Sequence, residues 1–287
     1  MWIITLLIII GGLSYIYSKS DKEEENIIFK LIGYSFLGAF LFRINEFPIP
    51  LGFLVFLIFF KPIVNKVAKT RAAYLGLLVL FIGIFSSMVS NYYFERPVEV
   101  VASSSNIYML DTKEDWQKIQ EKIGYPRNLK IEDFRVNYEE DGQIRDFRYD
   151  LVGYLENEII LYRVKLLPDK QVYSINAIKI DQWAQYGRLV LADRFFEALE
   201  KVNLKEVVNQ EKKLEWYVVA SRGEYITSVE DATHFMYEEG KMTRVDNSDL
   251  PISGFYISLY GMRQILKTST SESYEGSNVI NFWFQQW

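Results

Sequence analysis

The chain has 287 residues, a formal charge of −5, one histidine and no cysteine. Without cysteine there are no disulfides, thiolate nucleophiles or Cys-ligated metals, and a single histidine narrows acid–base catalysis sharply. The acidic excess lies beyond residue 94, so polyanions such as nucleic acid are disfavoured partners.

The near-zero mean hydropathy of −0.01 averages two unlike parts. Apolar runs at 2–17, 27–44, 47–64 and 72–88 approach the roughly 17–25 residues that a bilayer requires, predicting spans at about 2–18, 27–44, 47–64 and 72–91. No basic residue precedes the first run, and Tyr15 and Tyr17 suit an interface better than a cleavage site, so a retained helix is expected rather than a signal peptide. Lys61-Pro62 interrupts the third run. A full crossing with a snorkelling lysine competes there with a segment that dips in and returns.

Lys19, Lys22, Lys30, Lys61, Lys66, Lys69 and Arg71 fall on one side of four such spans, and Arg43 and Arg96 on the other. The positive-inside rule then expects a multi-pass plasma-membrane protein with the N-terminus and C-terminal domain extracytoplasmic. The Lys, Glu, Ile, Tyr and Phe bias suggests a bacterial source. Small residues at Ser35/Ala39, Ala72/Gly76 and Gly83/Ser87 lie one helical turn apart, which allows close helix packing or a homo-oligomeric face. Arg43, Asn45 and Glu46, ahead of Pro48-Ile49-Pro50, form a polar cluster at the outer membrane edge. They are read as helix caps, with a ligand or partner contact as the sharper alternative.

Residues 95–106 read as a polar tether, and 107–287 as an α+β domain. Asp111 or Thr112 caps a helix whose Trp116, Ile119 and Ile123 share one face, and Gly124-Tyr125-Pro126 ends it. Strands at 134–138, 144–154, 159–167 and 172–178, joined by short turns, predict an antiparallel meander. A helix over 186–208 would cover it, with Leu189, Ala192, Phe196, Leu199 and Val202 on one stripe. Further pairings are expected between 216–220 and 225–227 and between 234–237 and 242–245, with strands at 255–259 and 279–283. The order hints at two related subunits, 111–180 and 186–287. The fold expected is thus a four-helix transmembrane bundle followed by antiparallel meanders packed on helices.

Chemistry is sparse. Asp231, His234 and Glu238 would align only on a helix, whereas the local sequence reads as a strand. The carboxylates of Glu139-Glu140-Asp141, Glu156/Glu158 and Glu238-Glu239 sit at turns, where solvated charge is ordinary. No phosphate loop, metal cluster or nucleophile elbow occurs, so no catalytic residue, metal or cofactor is assigned. Phe282, Trp283, Phe284 and Trp287 make an apolar end that either fills the core as a final strand or docks a partner. The function expected is a non-enzymatic membrane-anchored binding, sensor or accessory assembly protein, whose partners are the bilayer and another membrane or envelope protein. An envelope hydrolase using paired carboxylates or Ser/Lys, and a subunit of a transport complex, are the rivals.

Overall fold

Four apolar runs do not become four spans. The computed structural model describes residues 2–44, 47–183, 185–209, 214–225, 232–251, 253–267 and 272–285. It separates the chain into two units, Met1–Tyr93 and Phe94–Trp287. In the first, the helices α1 (Trp2–Ser18), α2 (Ile27–Ala39), α3 (Leu51–Phe59) and α4 (Lys66–Glu95) have 17, 13, 9 and 30 residues. A helix rises about 1.5 Å per residue, so crossing a hydrocarbon core of about 30 Å takes about 20 residues. Among the described residues only α4 is long and apolar enough.

The expected four-helix transmembrane bundle and multi-pass localisation are corrected accordingly. The second and third runs are cut by a small hairpin, β1 (Phe42–Ile44) with β2 (Phe47–Ile49), in register Phe42↔Ile49 and Arg43↔Pro48. Pro48 and Pro50 lack the N–H that a helix interior needs and push the residue before them out of helical geometry. Pro62 has the same effect after α3. The apolar composition is plain in the sequence, but three prolines interrupt it.

Inside this unit α2 and α4 touch backbone to backbone. A Cβ on Gly38 would lie 2.0 Å from the Ala73 carbonyl oxygen, and one on Gly76 would lie 1.9 Å from that of Ser35. Small side chains are therefore obligatory on both facing stripes. The loop before α2 is tied to the start of α4 by Glu24, which accepts hydrogen bonds from Lys69 Nζ (2.5 Å), Lys30 Nζ (2.9 Å) and Asn65 Nδ2 (2.9 Å). Lys69 also donates to the Val64 carbonyl. Two of the lysines counted toward one membrane side, Lys30 and Lys69, thus share a single carboxylate.

The second unit is organised by one sheet. Its elements are β3 (Val98–Val101), α5 (Thr112–Ile123), β4 (Arg127–Tyr138), β5 (Ile144–Leu155), β6 (Glu158–Leu167), β7 (Val172–Ile180), β8 (Val190–Leu191), α6 (Ala192–Leu199), β9 (Trp216–Ser221), β10 (Thr233–Glu238), β11 (Lys241–Val245), β12 (Gly254–Lys267), β13 (Glu272–Gly276) and β14 (Ile280–Gln285). Twelve strands form the sheet in the order β11-β10-β14-β12-β9-β4-β5-β6-β7-β3, with β13 beside β12 and β8 beside β4. All pairings are antiparallel except β10 with β14, so the sheet is mixed, not a pure meander. The stretches 111–180 and 186–287 contribute to the same sheet, joined at β4–β9, and to the same apolar core.

One face of this sheet carries Phe134, Val136, Tyr149, Leu166, Val219, Ile257 and Phe282, which form a continuous core with α5 and α6. Asp111 caps α5 through the Glu114 N–H (2.8 Å), and Gly124 ends it in the left-handed region at φ 82°. Trp116 of α5 stacks on Phe196 of α6 at 4.9 Å, and its indole N–H donates to Asp193 at 2.6 Å. Each such buried aromatic is worth about 1.5–3 kcal/mol relative to exposure, and this pair joins the two helices over the sheet. Asp115, buried, accepts from the Ser103 N–H, the Ser103 hydroxyl and the Tyr173 hydroxyl, fastening the 102–106 segment to α5 and β7. Burial raises its pKa while those hydrogen bonds oppose the shift.

The long covering helix expected over 186–208 is also corrected: α6 spans eight residues. Val190 and Leu191 instead run along β4, Val190 pairing with Ile131, while Leu189 bridges Glu224 and packs on Val152 and Leu161 on the opposite sheet face. The strand expected at 225–227 does not pair with β9. The Tyr225 N–H donates to the Arg188 carbonyl, and residues 226 and 227 lie outside the described residues.

The Glu24 cluster gives a pH test. Hydrogen bonds from Lys69, then Lys30, then Asn65 hold its carboxyl at about 2, against an ordinary 4.5. A depressed acid stabilises above its unfolded value and loses that contribution as pH falls through its folded value. Protection factors at residues 21–30, corrected for intrinsic exchange rates, should therefore fall between about pH 4.5 and 2. Glu24→Gln should show weakened protection already at pH 7 and no acid step.

Candidate functional site

The second sheet face is built by the polar half of the strand alternation. Register brings one row across it: His234 on β10, Asn281 on β14, Ser258 on β12, Ala220 on β9, Arg135 on β4, Arg148 on β5, Lys165 on β6 and Ser174 on β7. Arg135, Arg148 and Lys165 are direct cross-strand neighbours. Like charges placed opposite one another destabilise a sheet.

Compensation for this row is thin. Asp146 approaches Arg148 and Lys165 only at 3.9 Å each, well beyond the roughly 2.7–2.9 Å of a charge-assisted hydrogen bond. Arg135 Nε donates to the Asn137 side-chain oxygen at 3.4 Å. No carboxylate of the described residues pairs with Arg135 or with Arg222, which follows β9.

Around these arginines lies a groove of about 540 Å³. Ala220, the smallest side chain of the row, makes the depression between Arg135 and Ser258. Arg148 and Arg222 wall it, with Tyr256 and Tyr260 from β12 opposite, and Asp133 and Glu224 stand at its rim. Ser258 donates its hydroxyl to the buried Asn281 (2.7 Å), so its oxygen faces the groove as an acceptor. Gly223 closes one end: its φ is +66°, and a Cβ there would lie 2.0 Å from the Ile131 side chain. A register shift in β4 between Ile131 and Asp133 re-aims the strand beside it.

The adjacent carboxylates feel one another. Glu132 titrates above its usual range, chiefly from burial and then from Asp150, Asp133 and Glu224. Asp150 is also raised, by burial and by Asp133, with Arg163 and then Arg148 opposing. A second cleft, about 550 Å³, opens on the helix side between residues 107–112 and 199–205, floored by Phe134, Val136 and Phe147. Lys205 covers the Tyr108 ring at its mouth (4.9 Å).

The residues singled out from sequence are dispersed. Arg43 is exposed in β1, in the other unit from the groove; Asn45 and Glu46 lie outside the described residues, as do Trp287 and Asp231. Phe282 and Phe284 point into the main core, and Trp283 is fully buried on the opposite face. As a strand flanked on both sides, β14 buries nearly every side chain, which explains a continuous apolar run.

His234 is buried in β10, and its Nδ1 accepts from the Trp283 indole N–H at 2.9 Å. Indole only donates, so the imidazole proton resides on Nε2. The turn carboxylates are exposed, Glu139 engaged with Arg145 (3.0 Å) and Glu158 with Lys179 (2.5 Å). None of them enters the groove. The strand expected at 134–138 places Arg135 between the apolar Phe134 and Val136, but only register reveals that Arg135 meets Arg148.

The fold and site define a mixed-sheet α+β domain with a basic, hydroxyl-lined groove on its second face. Residues 113–286 match the model of a family described as an archaeal family, and the chain belongs to that family. This overturns the bacterial source inferred from the Lys, Glu, Ile, Tyr and Phe bias. No curated protein and no solved structure matches the chain.

His234→Ala should lower stability by about 1–3 kcal/mol, because it strands a buried indole donor. His234→Gln, which retains an acceptor, should recover part of the loss. Denaturant unfolding of both variants checks this, and equal destabilisation by both would contradict it.

Proposed function

We propose that the chain is a non-enzymatic, membrane-tethered binding protein that recognises its ligand in the groove on the second sheet face. The observation that carries the reading is the register-imposed row of Arg135 and Arg148 beside the Ala220 depression. A sheet that places like charges opposite one another gives up stability, and such local costs concentrate at functional positions. The single histidine is committed to an indole in the interior, which supports binding over acid–base chemistry.

The tether is supported by α4, whose Leu78, Phe81, Phe85 and Met88 are exposed. Ile3, Ile4, Leu6 and Leu7 on α1 and Ile58 and Phe59 on α3 are exposed as well. Apolar surface on this scale calls for a covering phase, and lipid supplies one. The acidic excess of the second unit argues against nucleic acid as the ligand.

Ala220→Trp tests the reading, since it fills the depression without touching the helix-side core. In a deletion strain this variant should fail to complement while its melting midpoint stays within a few degrees of the parent. Full complementation by folded Ala220→Trp would remove the groove from the function.

A further inference from the structure

The geometry points to a specific ligand class for this groove: a small molecule carrying one carboxylate or phosphate together with N–H or O–H donors. The inference rests on the groove being the binding site and adds the chemistry that it selects.

Three guanidinium groups, Arg135, Arg148 and Arg222, converge on one concavity. Each presents a planar fork that matches two oxygens of a carboxylate or phosphate. Arg148 is exposed, and its nearest carboxylate, on Asp146, sits at 3.9 Å. Among the described residues Arg135 has only the long contact to Asn137. Donor capacity in this row is therefore largely unspent within the protein. An oxyanion seated between Arg135 and Arg148 would also relieve their mutual repulsion.

The acceptors on the opposite walls restrict what the rest of the ligand can be. The Ser258 hydroxyl hydrogen is committed to Asn281, leaving its oxygen to accept. Asp133 and Glu224 at the rim add two carboxylates. A polyanion would meet these acids, and a simple inorganic ion would leave them unused. A ligand with one anionic group and a hydroxyl or ammonium group satisfies both sides. Its size is bounded by the groove volume of about 540 Å³, within the ordinary range for small-molecule sites.

The experiment uses the full chain in detergent, with L-serine, which has one carboxylate, an ammonium and a hydroxyl, and glycerol 3-phosphate as probes. Each is titrated against sodium chloride at constant ionic strength, with the intrinsic-fluorescence melting midpoint and calorimetric titration as readouts. At least one probe should bind saturably. Arg135→Gln and Arg148→Gln, measured separately, should each weaken it at least tenfold, while Lys241→Gln on the distant edge strand leaves it unchanged. Saturation by L-serine alone assigns a carboxylate, and by glycerol 3-phosphate alone a phosphate. Binding of neither probe, or binding that both arginine variants retain in full, overturns the proposed ligand class. If the class fails while folded Ala220→Trp still fails to complement, the groove remains the functional site and only its chemistry is wrong. If Ala220→Trp complements, the groove reading itself falls.

Discussion

Strand alternation carried from strand to strand across one continuous sheet is the constraint on which the second unit depends. From β7 through β4 and β9 to β10, each residue's face is set by its neighbour's register. A slip of one residue would exchange the apolar and polar faces of a strand. The helices α5 and α6 can cover only one face, and the Trp116–Phe196 stack with the Trp116–Asp193 hydrogen bond holds them there. The other face is left to Arg135, Arg148, Lys165, Ser258 and the tyrosines of β12. The groove is thus the complement of the core: the same periodicity that buries Phe134 and Val136 presents Arg135.

Local departures from that regularity shape the site. The register shift between Ile131 and Asp133 bends β4 where residues 189–191 and 223 approach it. Gly223 is needed there because the chain passes within contact of Ile131 in a conformation that side chains resist. Leu189, buried on Val152 and Leu161, fixes the path of the segment that borders the groove. Bulge, glycine and crossing segment together turn a flat sheet face into a concavity.

Much of this was legible in the sequence, and the failures have physical causes. The β5–β6–β7 hairpins follow from alternation and turn residues, and the capped helix α5 follows from Asp111 and Gly124. The first half of β4 was hidden because the register shift breaks the alternation between Ile131 and Phe134. Strand β13, with the sequence Glu-Ser-Tyr-Glu-Gly, has no apolar face to read. The parallel partnership of β10 and β14 is a long-range choice that no local pattern encodes. In the first unit hydrophobicity was plain, but the apolar runs are broken by Pro48, Pro50 and Pro62, and among the described residues only α4 attains a spanning length. For the site, residue types were visible and adjacency was not: Arg135 and Arg148 are 13 positions apart and meet only through the β4–β5 register.

The central claim is that the Arg135–Arg148 contact is a repulsion held in the free protein and relieved by ligand. A double-mutant cycle on the melting stability of the full chain measures it directly, using Arg135→Gln, Arg148→Gln and the double variant. In chloride the two arginines should show a repulsive coupling of about 0.2–1 kcal/mol, the size of a cross-strand pair. At a saturating concentration of the oxyanion probe that binds, the coupling should turn favourable. Additive effects in both conditions would contradict the account.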